Sequence, residues 1–431
     1  MGRRQLVRTV LVAAVAPTLL MSEALSAPAE NVQRGGASWS PPVRVSGAPD
    51  RDRSVSSPLV TLAPEGDITV VWTRDGRLLS RTRQAGGSWG PVRSVGMGFP
   101  TGLDVDADGD VTVVWERFLR GDRSVLFTAR RPDGGSWSRP HRLSRVPVIR
   151  GAFLGPTGAV LDVNPRGDAF VAWAYGSPEH TNINYRVEVS YRRNGGTWNP
   201  RTRVGQLGMV PQGAVVGDDG VPTVLAAHAY SGRLRAHRRG VGGWRPVGAP
   251  TSRRVDQAQL TLGEDGTSIL ATWSAFGLRG SWLTADGWSQ PRRLTPMGIA
   301  FHAADVDRSG TATIAWQGPR GRVLVTRWTQ GRDPAVPRTL ARRGAEGVAV
   351  TVAANSTATV AWAGRVPGTR FDYRARAVRR PLAGPWSATT TVSRRRNIQT
   401  FEVPDLDSWP GGRAALAWVN ENSSSVWLAR S

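Results

Sequence analysis

Hydrophobic positions in this chain come in short runs, and the runs follow one another in a fixed order of four. Residues 102–144, GLDVDADGDVTVVWERFLRGDRSVLFTARRPDGGSWSRPHRLS, hold one full set. A run closing on acidic residues and Gly is followed by one closing on Trp115, one closing on basic residues, and one opened by Trp137. The second run recurs as ITVVW, VTVVW, AFVAW, SILATW, TATIAW and TATVAW, apolar on successive rather than alternate residues. A strand with that pattern has to be covered on both faces. Radially arranged four-stranded sheets provide such cover, because each lies between two neighbours.

Two series of Trp set the period. The ring closing the second run stands at Trp72, Trp115, Trp173, Trp273, Trp316, Trp362 and Trp418, and in VPTVLAAHAY Ala227 takes its place. Successive rings lie about 43 to 58 residues apart where the series is unbroken, near or above the ~40–50 residues of known propeller repeats. An indole is large enough to fill the gap that widens between sheets away from a central axis. Trp39, Trp89, Trp137, Trp198, Trp244, Trp288 and Trp386 lead a Pro-containing stretch that suits an outer edge strand. Gly86, Gly134 and Gly195 precede it, where a tight hairpin needs positive φ.

The segment SWSPPVRVS at 38–46 is a fourth run with no partners before it, and residues 401–430 supply a first, second and third run with no fourth. Together they predict an all-β fold: an eight-bladed β-propeller of four-stranded antiparallel blades, closed by the N-terminal strand pairing with the C-terminal blade. The domain is a single one over residues 38–431. Seven blades are the alternative, since DPAVP at 333–337 replaces the Trp-led run of the sixth unit. Residues 1–29 read as a signal peptide. Arg3, Arg4 and Arg8 precede an apolar stretch at 9–21, shorter than the ~20 residues of a membrane-crossing helix, and Ala27-Pro28-Ala29 has the small-x-small form of a cleavage site. A secreted or cell-envelope location is expected, with no transmembrane segment in the mature chain.

The ionic balance is 56 basic residues, all Arg, against 33 acidic ones, a net charge of +23. Such an excess favours contact with anionic surfaces. It is spread through every repeat rather than gathered on one element, so nucleic acid is not the expected partner. The lack of Cys excludes disulfides, thiol chemistry and Cys-based zinc sites.

Asp104-Val105-Asp106-Ala107-Asp108-Gly109-Asp110 places oxygen ligands at alternate positions before a Gly, as calcium loops do, and Asp104, Asp106 and Asp108 are the candidate calcium ligands. The same residues suit a plain turn. Apart from this possible calcium, no cofactor is expected.

The hairpins Asp133-Gly134-Gly135-Ser136-Trp137 and Asn194-Gly195-Gly196-Thr197-Trp198 resemble those of the sialidase-like, Asp-box propellers, each one residue short between Gly and Trp and without the leading Ser. The resemblance implies a propeller and, in the catalytic members, a Tyr nucleophile activated by Glu. Tyr175 with Glu179 is the nearest such pair, whereas Ser56-Ser57-Pro58 stands where those enzymes carry an Arg for the substrate carboxylate. The resemblance also implies binding at the face built from second-to-third-strand loops and from the connections into inner strands. Glu116, Arg117, Tyr175, His180, Tyr230, Arg254, His302 and Arg395 are the candidate ligand-binding residues there. A planar guanidinium beside an aromatic ring suits sugar carboxylates, sulfates or phosphates. The expected function is non-catalytic binding of an extracellular glycan or anionic polymer by an exported monomer. The alternatives are a divergent sialidase-like glycoside hydrolase and a protein-interaction scaffold, the latter predicting an exposed apolar patch on one rim.

Overall fold

The computed structural model describes residues 39–47, 55–120, 123–145, 156–179, 182–369, 372–393, 404–420 and 424–431. The candidates His180 and Arg395 and the leader at 1–29 lie outside them. Eight antiparallel sheets follow one another: blade 1 at residues 55–97, blade 2 at 99–142, blade 3 at 156–204, blade 4 at 209–246, blade 5 at 257–295, blade 6 at 301–341, blade 7 at 345–391, and blade 8 at 405–430 together with 43–44. The fold is thus the eight-bladed propeller that the repeat predicts. Blade 6 is complete, its outer strand being Arg338–Ala341, just after the Pro-rich segment that blurs the pattern.

The second runs form the second strand of each blade, buried along nearly their whole length, as at Ile68–Arg74 and Ile269–Ser274. Eight hydrophobic clusters fill the spaces between neighbouring blades. In one, Trp115 packs with Val113 and Ala129 of its own blade against Val71, Leu78 and Val95 of blade 1. In the next, Trp173 and Val171 of blade 3 meet Val114 and Leu126 of blade 2. Each such indole thus faces the preceding blade, and burying one contributes at least the ~1.5–3 kcal/mol of a large apolar side chain.

Blade 4 corrects the register expected from sequence. Ala226 pairs with Pro211 just before a bulge, the position at which Trp115 pairs with Pro100 in blade 2. The missing ring therefore falls at Ala226, one residue before Ala227. Alternation across a strand explains the difference: Ala226 faces blade 3, where Met209, Tyr191 and Trp244 occupy the space, whereas Ala227 faces blade 5.

Closure is as predicted. Val43 pairs with Leu428 and Arg44 with Trp427, while Ser40 N–H donates to the Arg430 carbonyl at 2.7 Å and Val45 N–H to that of Val426 at 2.8 Å. The outer edge of blade 8 is thereby paired rather than open. Trp39 and Trp427 both pack against the cluster containing Trp418.

The innermost strands use a device the repeat pattern does not announce. Asp104 Oδ2 accepts the N–H of Val163, Asp162 that of Val216, Asp305 that of Val352, Asp405 that of Val60 and Asp407 that of Leu62, at 2.6–2.9 Å. Each bond crosses to the next blade. Inner-edge N–H groups have no further strand to pair with, and a buried orphan donor is costly. The carboxylates supply the missing acceptors.

Candidate ligand-binding face

The propeller has two unlike ends. The upper face carries the second-to-third-strand loops and the connections into inner strands; the lower face carries the first-to-second-strand turns and the outer hairpins. On the lower face Gly86, Gly134 and Gly195 adopt φ of +68°, +61° and +68° in the hairpins, as the sequence requires.

The predicted residues that are described all lie at the upper end, and the structure distributes them round the ring. Glu116 ends the buried part of the second strand of blade 2 and pairs with Phe99 and Leu126, leaving Arg117 exposed beside it. Tyr175 is buried in blade 3 beneath the Arg145 guanidinium, 4.1 Å from its ring centroid. Tyr230 is 60 % exposed in the turn of blade 4, tilted against His228 at 6.0 Å. Arg254 is exposed in the connection into blade 5, bridged to Arg233. His302 is on the inner strand of blade 6 opposite Trp316, and burial pushes its imidazole down to about 4, so it is neutral at physiological pH.

Two arrangements escape sequence reasoning because their members are far apart in the chain. Glu188, 1 % exposed on the third strand of blade 3, stands 3.9 Å from Arg145 Nη2 and 3.6 Å from Arg201 Nε, beside Tyr175. The described partner of Tyr175 is therefore this network, while the Glu179 side chain lies outside the described residues. A direct Tyr–Glu hydrogen bond occurs elsewhere, with Tyr373 Oη donating to Glu346 in blade 7. Burial is the main cause raising the Tyr373 hydroxyl, and the bond to Glu346 adds to it. The ring is also buried, so this phenol is neither acidified nor open to a substrate.

The second arrangement is aromatic. Phe99, Phe118, Tyr230, Phe276 and Phe301 are the exposed aromatic rings among the described residues, and all five stand at the upper face, where Met97, Met297 and Leu207 join them. Phe99 and Phe118 make an edge-to-face pair at 5.7 Å, and Phe276 is 96 % exposed at the tip of its turn with φ +56°. Their signal in sequence is weak: each is a single ring a few residues from a strand end. Exposed arginines alternate with them, among them Arg117, Arg120, Arg253, Arg254, Arg320 and Arg365.

The lower face is acidic near the axis. A cavity of about 310 Å³ is lined there by Asp104, Asp162, Asp218, Glu264 and Asp407, with Arg308 the cation among them. Burial pushes Asp162, Asp305 and Asp405 up to about 7, Glu264 to about 7 and Asp407 to about 6, and raises Asp104 well above the usual carboxylate range. Of the three expected calcium ligands, Asp104 and Asp106 accept hydrogen bonds from the protein, while Asp108 is exposed. Asp104 accepts from Val105 and Val163, and Asp106 Oδ1 accepts from the N–H groups of Asp108 and Asp110 in a side-chain turn. Three carboxylates with oxygens within 4.8 Å of one another occur instead at Glu65, Asp67 and Asp133.

No family model matches the chain, so no family match carries the sialidase-like membership expected from the hairpins. No curated protein matches either. Among solved structures, the BP39L lectin from Burkholderia pseudomallei aligns with a TM-score of 0.57 at 14% identity, covering 81% of this chain and 100% of the lectin. A prolyl endopeptidase aligns at 0.49 with 14% identity over 87% of this chain and 57% of the enzyme, and a lectin from Aleuria aurantia at 0.38 with 14% identity over 68% and 96%. At 14% identity the likeness to the Burkholderia lectin is one of β-propeller fold.

Proposed function

We propose that this chain is an exported, non-catalytic propeller that binds an extracellular glycan at its upper face. The observation that carries the reading is that, among the described residues, all five exposed aromatic rings stand at one end of the propeller, interspersed with exposed arginines. An exposed ring offers a flat apolar surface to the C–H face of a pyranose, and a neighbouring guanidinium bonds hydroxyls or acidic groups on the sugar. The rings stand on blades 2, 4, 5 and 6, so they suit a polymer touching several points better than one compact protein footprint. The Burkholderia lectin has this fold, which makes the architecture compatible with sugar binding.

The test is a glycan array followed by calorimetry on the sugars retained. Phe118→Ala, Tyr230→Ala and Phe276→Ala should each weaken binding about 3- to 10-fold, the worth of one aromatic contact, while Val241→Ala on the lower hairpin of blade 4 should leave it unchanged. A fluorogenic sialoside run alongside addresses the hydrolase alternative: turnover by the purified chain, lost on heat denaturation, would overturn the non-catalytic reading. Capture of a folded protein through the same three rings, with no glycan retained, would establish the scaffold instead.

A further inference from the structure

Away from the acidic axis, the lower rim contains a groove of opposite character. It lies between the hairpin of blade 3 and the hairpin of blade 4, has a volume of about 820 Å³, and is walled by Arg193, Arg238, Arg239 and Arg245, with the Tyr191 and Trp244 rings behind them. Asp219 is the lining carboxylate and is paired with Arg238 at 3.2 Å. Asp168 lies just behind Tyr191, whose hydroxyl interacts with both Asp168 and the Arg193 guanidinium. Arg193, Arg239 and Arg245 have no carboxylate within ion-pair distance among the described residues, and all three are exposed. Four arginines against two acids leave the groove strongly positive.

The local fold explains why these cations stand open. Arg239 pairs across the hairpin with Trp244, and Gly240 with Gly243. Residues 240–243 therefore turn the chain with the Val241 side chain alone, and nothing lies within 4 Å of where a side chain would begin at Gly242 or Gly243. The gap leaves backbone and guanidinium groups accessible together. Arg239 lies over the Tyr191 ring at 5.4 Å, which holds one fork in place without neutralising it. The corresponding groove between blades 5 and 6, about 730 Å³, differs in chemistry: it is lined largely by Ser, Thr and Gln with Arg292, Arg308 and Arg332, and Arg292 and Arg308 are already paired with Asp333 and Glu264.

We infer that the groove between blades 3 and 4 is a second binding site, separate from the upper face, for sulfate or phosphate groups carried on an acidic polysaccharide. Guanidinium forks match tetrahedral oxyanions bidentately. The forks of Arg239 and Arg245, with no acid at ion-pair distance among the described residues, match a chain with repeated anionic groups. Tyr191 is buried and Trp244 half-buried, so the groove has no open ring for base stacking, which favours a sugar backbone over a single-stranded nucleic acid.

The experiment is calorimetric titration of the whole chain at about 0.15 M salt with sulfated dextran oligosaccharide, neutral dextran and a single-stranded oligonucleotide of equal charge. Sulfated dextran is expected to bind and neutral dextran not to. Arg239→Ala with Arg245→Ala should weaken sulfated dextran at least about 10-fold, while Arg292→Ala with Arg332→Ala, which removes the same charge from the neighbouring groove, should change it less than about 3-fold. All four side chains are exposed, and thermal melts verify that both variants fold. Equal losses in the two double variants, or none in the first, would overturn the site; tighter binding of the oligonucleotide, lost in the first variant, would overturn its assignment to a sugar. Since Phe118→Ala and Tyr230→Ala leave this groove intact, its failure and that of the upper-face reading are distinguishable.

Discussion

The Asp405 carboxylate accepts the backbone N–H of Val60 at 2.6 Å, joining the last blade to the first across 345 residues of chain. Asp407 repeats the contact one step along, to Leu62 at 2.9 Å. These bonds tie inner strands at the same blade boundary whose outer strand is contributed by the chain start. Asp405→Ala leaves the Val60 donor without an acceptor and should lower unfolding free energy by about 1–2 kcal/mol; Asp405→Asn keeps an acceptor oxygen and should cost less than half as much. Urea unfolding midpoints measure both, and an unchanged midpoint for the Ala variant would remove the bond from any role in closure.

The outer half of the same closure rests on apolar packing. Val45 is fully buried in the cluster containing Trp72, Val426 and Leu428, whereas Val43 is largely exposed two residues earlier. Val45→Ala should therefore cost about 2 kcal/mol and Val43→Ala no more than about 0.5 kcal/mol. Similar losses at the two positions, read from chemical denaturation, would place the closure energy in the strand ladder rather than in the side chain.

The buried carboxylates make stability depend on pH in an unusual direction. Burial raises Asp104, Asp162, Asp305, Asp405, Asp407 and Glu264 above their ordinary values, so the folded chain holds more protons than the unfolded one between pH about 4 and 7. Their contribution is full below pH 4 and is lost as pH rises to about 7. His302 and His237, both lowered by burial, act in the opposite sense, but two groups are set against six. The urea midpoint should fall between pH 4.5 and 7 and level off above about 8. A midpoint that climbs over the same interval would contradict this account.

Ala226 offers a test of packing against pattern. Seven of the eight blades place Trp at the corresponding position, and restoring the repeat by Ala226→Trp would look stabilising from sequence alone. In the fold, Met209, Tyr191 and Trp244 already occupy that space. The substitution should lower stability by about 1–3 kcal/mol through overpacking, seen as a reduced melting temperature, and Ala226→Trp with Met209→Ala should recover part of the loss.

Blade number, strand order and closure were legible because they are written as period: continuous apolar runs, one indole per unit, and a fourth run detached from its three partners. The one-residue error at Ala227 arose where the indole that anchors the alignment is absent. The carboxylate bonds between blades were not legible. Asp104 and Asp162 look like turn residues, and only the curvature of the ring brings Val163 and Val216 to them. Tyr175 was read with Glu179, its neighbour in sequence, yet Glu188 stands beside it on the adjacent strand. The groove between blades 3 and 4 was hidden for a related reason: Arg193 and Arg239 are unremarkable among 56 arginines until two hairpins bring them to one wall.

Strand 43–44 being sewn into a sheet otherwise built from residues 405–430 has a mechanical consequence. A single protease cut in an interblade link would leave two polypeptides that remain joined through the pairing of 43–44 with 427–428, while every sheet kept its partners. Strand pairing and the packing between blades would then hold the two pieces, so the molecule should keep its fold after a single nick.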